Sequence, residues 1–107
     1  MTSFIIDTAI KKAMQSPCHF PISAVGLDKN GKVIGVARNS PRFSKYGGGV
    51  HAEIALLRKA GIRLKSIIIC RVNKHGKILP IKPCKSCSRI FQKRGIKIMT
   101  VKPIVIV

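Results

Sequence analysis

Carboxylates are what this sequence has least of. Asp7, Asp28 and Glu53 are its three acids, against 21 lysines and arginines, for a formal charge of +18 over 107 residues. That imbalance points to polyanionic partners without naming one, since membranes attract cations too. It also isolates Glu53 as the single glutamate, and a chain so poor in carboxylates has a chemical reason to keep it. No apolar run approaches the ~20 residues of a membrane helix, which excludes a span. Residues Met1 to Met14 carry Asp7, Lys11 and Lys12 and no long apolar stretch, which argues against a secretory signal. A cytoplasmic protein (host cytoplasm if viral) is the resulting expectation. Without export, Cys18, Cys70, Cys84 and Cys87 are expected reduced, outside any disulfide framework. Repeats and low-complexity linkers are absent. The 46% apolar content excludes a disordered basic tail, and the length fits one domain, residues 1–107.

What is present is a regular alternation of elements. Ile6, Ile10, Ala13 and Met14 share one face of a helix over Thr2 to Gln15, stopped by Ser16-Pro17. Ile22 to Leu27 and Lys32 to Ala37 form a hairpin around Asn30-Gly31. Asn39 to Gly49 reads as a loop ending in three glycines, which suit a close backbone approach. Val50 to Ala60 is a second helix closed by Gly61. Ile67 to Cys70 is apolar on both faces, the pattern of a central strand covered on both sides. A polar loop, Asn73 to Lys82, leads to a third helix over Cys84 to Arg94, with Pro83 at its entry and Gly95 at its exit. Ile96 to Val101 is a further strand, and Ile104 to Val107 adds or covers a sheet edge. This order predicts an α/β sandwich with a parallel portion. Phe4 and Phe91 are expected in the core, and Cys18 and Cys70 as buried small apolar residues.

Two short motifs carry the chemistry. His51-Ala52-Glu53 opens the second helix and Pro83-Cys84-Lys85-Ser86-Cys87 opens the third. A zinc ribbon would need a second CxxC, which is lacking. Instead His51, Cys84 and Cys87 supply the three ligands of a catalytic Zn²⁺ that keeps its fourth position for water. The positive helix ends favour thiolate over thiol. Residues two apart on a helix point about 200° away from each other, so His51 and Glu53 serve one site only if it lies off the helix end. There Glu53 neighbours the metal without ligating it and moves protons between water and substrate.

His-x-Glu followed by Pro-Cys-x-x-Cys resembles the signature of zinc nucleobase deaminases. The chain is similar to the cytidine deaminase-like superfamily, and within it to CMP/dCMP-type domains of small phage type. The likeness covers about residues 3 to 101. The spacing from Glu53 to Pro83 is typical of that family. Phe20-Pro21-Ile22-Ser23-Ala24-Val25 resembles its first strand, where a glycine is common at the position of Ser23, so a narrowed pocket is expected. Cys70 to Gly76 resembles the same region of the small domains. The resemblance implies a three-layer α/β/α sandwich around a mixed sheet of about five strands, here with a minimal C-terminus. It implies hydrolytic deamination, with zinc-activated hydroxide attacking C4 of cytosine or C6 of adenine and Glu53 shuttling protons. Asn39 stands where the family binds sugar or base, and Phe20, Ala52 and Pro83 complete the implied substrate contacts.

The cations refine this picture. Lys82, Lys85, Arg89 and Lys93 share a face of the third helix, while Arg38, Arg42 and Lys45 flank the loop before His51. Together they are expected to bracket the pocket mouth and contact phosphate. Phe20, Phe43 and Tyr46 are the candidates for base stacking. The leading expectation is deamination of cytosine in single-stranded nucleic acid, because a mononucleotide needs far fewer cations. Free dCMP or CMP, adenosine in tRNA, and a zinc-stabilised nucleic-acid-binding module without turnover are the alternatives. Partners are therefore nucleic acid or nucleotide, no membrane, and a homo-oligomer that would supplement a small core.

Overall fold

Two glycines facing each other across neighbouring strands decide how closely the layers stack. The protein is described by a computed structural model over residues 3–41, 49–83 and 85–103. In chain order the elements are α1 (Ser3–Met14), β1 (Ile22–Leu27), β2 (Val33–Arg38), β3 (Ser40–Pro41), β4 (Gly49–Val50) and α2 (Ala52–Ala60). A 3₁₀ turn (Gly61–Arg63), β5 (Ser66–Val72), β6 (Ile78–Leu79), α3 (Lys85–Lys93) and β7 (Lys97–Thr100) follow. A five-stranded sheet holds β1 between β2 and β5, antiparallel to both. β1 covers one edge of β5 along its length, so the other edge takes parallel β7 at Ser66–Ile69 and antiparallel β6 at Arg71 and Val72.

Side chains alternate across this sheet and build two apolar layers. Ala24, Ile67 and Ile69 meet Leu56 of α2 and Cys87 and Phe91 of α3 on one face. Val25, Leu27, Ile68, Cys70 and Val72 meet Ala9 and Ala13 of α1 on the other. The result is the expected mixed three-layer sandwich, with β5–β7 as its parallel pair. Gly26 and Gly35 are register partners on the α2 face. A Cβ at Gly26 would lie 2.6 Å from Leu64 Cδ1 and 3.1 Å from Leu56 Cδ2; one at Gly35 would lie 3.0 Å from Leu56 Cδ1. Leu56 therefore rests on bare backbone, and α2 sits deeper than any side chain beneath it would allow.

Both hairpin turns use one device. The Asp28 carboxylate accepts the N–H groups of Asn30 and Lys32, each at 2.9 Å, and Gly31 takes a φ of 78°. The Lys32 N–H chiefly, helped by that of Asn30, holds the Asp28 carboxyl below its ordinary pKa. Asn73 Oδ1 likewise accepts the N–H groups of His75 and Lys77, with Gly76 at a φ of 81°. That second hairpin falls inside the expected Asn73–Lys82 loop, because a two-residue β6 carries too little periodicity to read.

Other expectations shift for physical reasons. β3 pairs with β4 through Ser40–Val50 and Pro41–Gly49, so Val50 belongs to a strand and α2 starts after His51. Phe4 is 68% exposed and Met14 faces largely outward, because Ala9 and Ala13 make the closest contact of α1 with the sheet. Ser23 is buried on the α1 face, where its hydroxyl donates to the Ala9 carbonyl at 2.7 Å; it does not narrow the site. Phe91 and Cys70 are buried as expected, whereas Cys18 is half-buried. Ile104 to Val107 lie outside the described residues. Among the described residues no helix is long and apolar enough to cross a membrane.

Gly26→Ala should lower stability by about 1–3 kcal/mol through overpacking against Leu64 and Leu56. Chemical denaturation checks this, and an unchanged midpoint would mean that α2 can lift off the sheet at no cost.

Candidate active site

The site forms where α2 begins. His51 precedes the helix in an extended conformation, φ −68° and ψ 144°, while its carbonyl accepts the first helical N–H, from Ala55 at 3.0 Å. Its side chain is thus free of the helical rotation that would otherwise set it opposite Glu53. His51 Nδ1 lies 3.9 Å from Glu53 Oε2 and 3.4 Å from Cys87 Sγ. Cys87 sits in the first turn of α3, anchored one helical turn before Phe91 in the core. Two helix N-termini therefore converge on one point, and the ligating atoms of His51, Glu53 and Cys87 all fall within 4.8 Å of one another. Glu53 and Cys87 are 4% and 3% exposed, while His51 is open to solvent.

This donor set suits zinc. Zn–S and Zn–N bonds of about 2.3 and 2.0 Å at a tetrahedral angle put sulfur and nitrogen about 3.5 Å apart. The observed Nδ1–Sγ separation of 3.4 Å matches that span before any ion is placed. Cys87 stands in the first turn of α3, at the positive end of that helix. Cys70 offers the contrast: burial pushes its thiol up to about 11, so it stays protonated at neutral pH. The expected third ligand, Cys84, lies outside the described residues.

An open cavity of about 1130 Å³ borders the site. His51, Ala52, Glu53, Phe20, Asn39 and Pro83 all line it, so the expected substrate contacts come together. Asn39 Oδ1 accepts from the Ser16 hydroxyl at 2.6 Å and the Ile22 N–H at 3.0 Å, and its Nδ2 donates to the Phe20 carbonyl at 2.8 Å. Among the described residues these bonds leave one amide N–H for a ligand. The same bonds tie the segment after α1, and with it Phe20, to the start of β1.

The cations are distributed differently from the expectation. Lys82 lines the cavity, but Lys85, Arg89 and Lys93 form an exposed row on α3 outside its wall. Arg38 lines a separate shallow groove with Lys12 and Lys59. Arg42, Lys45, Phe43 and Tyr46 lie outside the described residues. The wall instead recruits residues that sequence reasoning missed: Arg71, Lys102, Cys18 and His19. Arg71 was within reach, since the alternation that points Ile67 and Ile69 toward α2 carries Arg71 to the same face.

The profile of the cytidine and deoxycytidylate deaminase zinc-binding region matches residues 2–102. Among solved structures, the cytidine deaminase of Mycobacterium leprae superposes with a TM-score of 0.66 at 20% identity, over 94% of this chain and 89% of that one. The cytidine deaminase of Mycobacterium tuberculosis gives 0.65 at 19% identity, over 96% and 89%. At such identities these likenesses establish the fold. No curated protein is significantly similar in sequence.

Purified protein should carry about one zinc per chain, and His51→Ala or Cys87→Ala should lose most of it. Elemental analysis of dialysed protein decides; full occupancy in both variants would place the metal elsewhere.

Proposed function

From a chain that belongs to the cytidine and deoxycytidylate deaminase zinc-binding family, we propose a zinc-dependent hydrolytic deaminase that converts cytosine to uracil, foremost in single-stranded nucleic acid. The observation that carries the reaction is the buried carboxylate of Glu53, 3.9 Å from His51 Nδ1 and open to the cavity. His51 and Cys87, with Cys84, would hold the metal. Bound there, zinc supplies a Lewis acid and brings the pKa of a water toward neutrality.

The remaining steps belong to the chain's own side chains. Glu53 accepts one proton from the attacking water and passes it to the ring nitrogen, then takes the second from the hydroxyl of the resulting adduct and passes it to the departing amine, leaving uracil and ammonia. Its carboxylate lies within 4.8 Å of the ligating atoms of His51 and Cys87, close enough to serve a water at the same centre. Ala52 and Pro83 flank the base, and Phe20 offers a ring face against it. The spare N–H of Asn39 is placed for an oxygen of the sugar or base.

The charge of +18 supports a polymer as substrate. So does Ser40, which lines both the cavity and the adjoining groove of about 250 Å³ whose wall includes Lys12, Arg38 and Lys59. A strand leaving the cavity past Ser40 would meet three cations. The second reading is free dCMP or CMP. It is favoured by the α3 row, since Lys85, Arg89 and Lys93 stand off the cavity wall.

Glu53→Gln should retain zinc and lower turnover by about 100- to 10,000-fold. Steady-state assays with parallel zinc analysis check this, and a loss of only a few-fold would assign the proton to another group. Deamination of a single strand should weaken roughly as log kcat/KM against log salt with a slope near −0.7 per neutralised phosphate. A flat salt response together with rapid turnover of dCMP would favour the free nucleotide.

A further inference from the structure

The shortage of acids has a local consequence inside the cavity. Arg71 lines the wall, and its buried Nε has no hydrogen-bond partner among the described residues. Its guanidinium carbon lies 4.7 Å from the centroid of the Phe20 ring, which holds the group in place through a cation–π contact. Lys82 and Lys102 line the same wall. An arginine cannot shed its proton, so a half-buried guanidinium favours an anionic partner. Among the described residues no carboxylate pairs with it. Asp28 is engaged by the turn N–H groups of Asn30 and Lys32, Asp7 faces solvent on α1, and Glu53 stands beside His51. These are the three acidic side chains of the sequence.

A phosphate fits this wall chemically. The guanidinium fork matches two phosphate oxygens, and Lys82 and Lys102 add charge beside it. We infer that Arg71 determines specificity in this cavity by binding the phosphate of the substrate, so that a phosphorylated cytosine unit is preferred to the bare nucleoside. This rests on the cavity being the deaminase site. The phosphate is the monoester of a free nucleotide or the diester of a strand, and the two share the same chemistry.

The test compares zinc-loaded wild type, Arg71→Gln, Arg71→Lys and the charge control Lys29→Gln. Lys29 is exposed in the β1–β2 turn, remote from the wall. Each is assayed on cytidine, on its 5′-monophosphate, and on an oligonucleotide with a single cytosine, and binding of the first two is measured by calorimetry. Arg71→Gln should reduce kcat/KM for phosphorylated substrates about 10- to 100-fold more than for cytidine, mainly through KM, as loss of a charged hydrogen bond implies. Arg71→Lys should recover part of that difference, and Lys29→Gln should show none of it. A selective loss on the monophosphate alone identifies a nucleotide enzyme; a loss on the oligonucleotide identifies a strand phosphate. Equal losses on all three substrates, or monophosphate binding unchanged in Arg71→Gln, would overturn the inference. If wild type deaminates nothing yet binds the monophosphate in an Arg71-dependent way, the deaminase reading fails and the phosphate site stands.

Discussion

The depth at which α2 sits on the sheet governs the rest of the molecule. Leu56 packs against Gly26 and Gly35, where strand neighbours with side chains would hold the helix away. That depth fixes the height of the helix N-terminus, and so of His51 and Glu53. Phe91 does the same for α3 and brings Cys87 to His51. Neither motif has the geometry of a metal site by itself. The site exists because two helices start at one place on the same sheet face, and their dipoles make that place suited to a thiolate and an attacking anion.

The distribution of charge follows a comparable logic. Three acids against 21 cations look like a global property suited to a polyanion. Inside the cavity the same scarcity becomes specific: Glu53 is its acid, and Arg71, Lys82 and Lys102 have no internal counterpart among the described residues. The exposed α3 row raises the general attraction for phosphate, which acts at long range and fades with salt. The wall cations share the cavity with His51 and Glu53. On the proposed reading the fold separates attraction from recognition, the first on the surface and the second in the cavity.

Much of this was readable from residue patterns where the signal is local. The apolar run in β5, the Asn30-Gly31 turn, and the placement of His51 and Glu53 at a helix start all follow from short-range rules. What escaped depends on partners distant in sequence. Arg71 becomes a cavity residue only because β5 lies beside β1 and brings it to Phe20. Ser23 turns toward Ala9 of α1 because its face is set by the register of β1 rather than by its neighbours in sequence. Phe4 is hydrophobic yet exposed, because α1 uses alanines for its closest approach. The β3–β4 pair is too short to leave a pattern, although it decides that Val50 ends a strand and that His51 stands just outside the helix.

The central claim is that two helix starts assemble an open zinc site with His51, Cys84 and Cys87 as its protein ligands and Glu53 as a neighbour outside the ligand set. Zinc K-edge absorption spectroscopy on the purified protein tests it most directly, because it counts donors without relying on turnover. The account predicts one imidazole nitrogen, two sulfurs and one light oxygen scatterer, unchanged in Glu53→Gln. A shell closed by four protein ligands, a single sulfur, or a coordination that changes when Glu53 is replaced would contradict it.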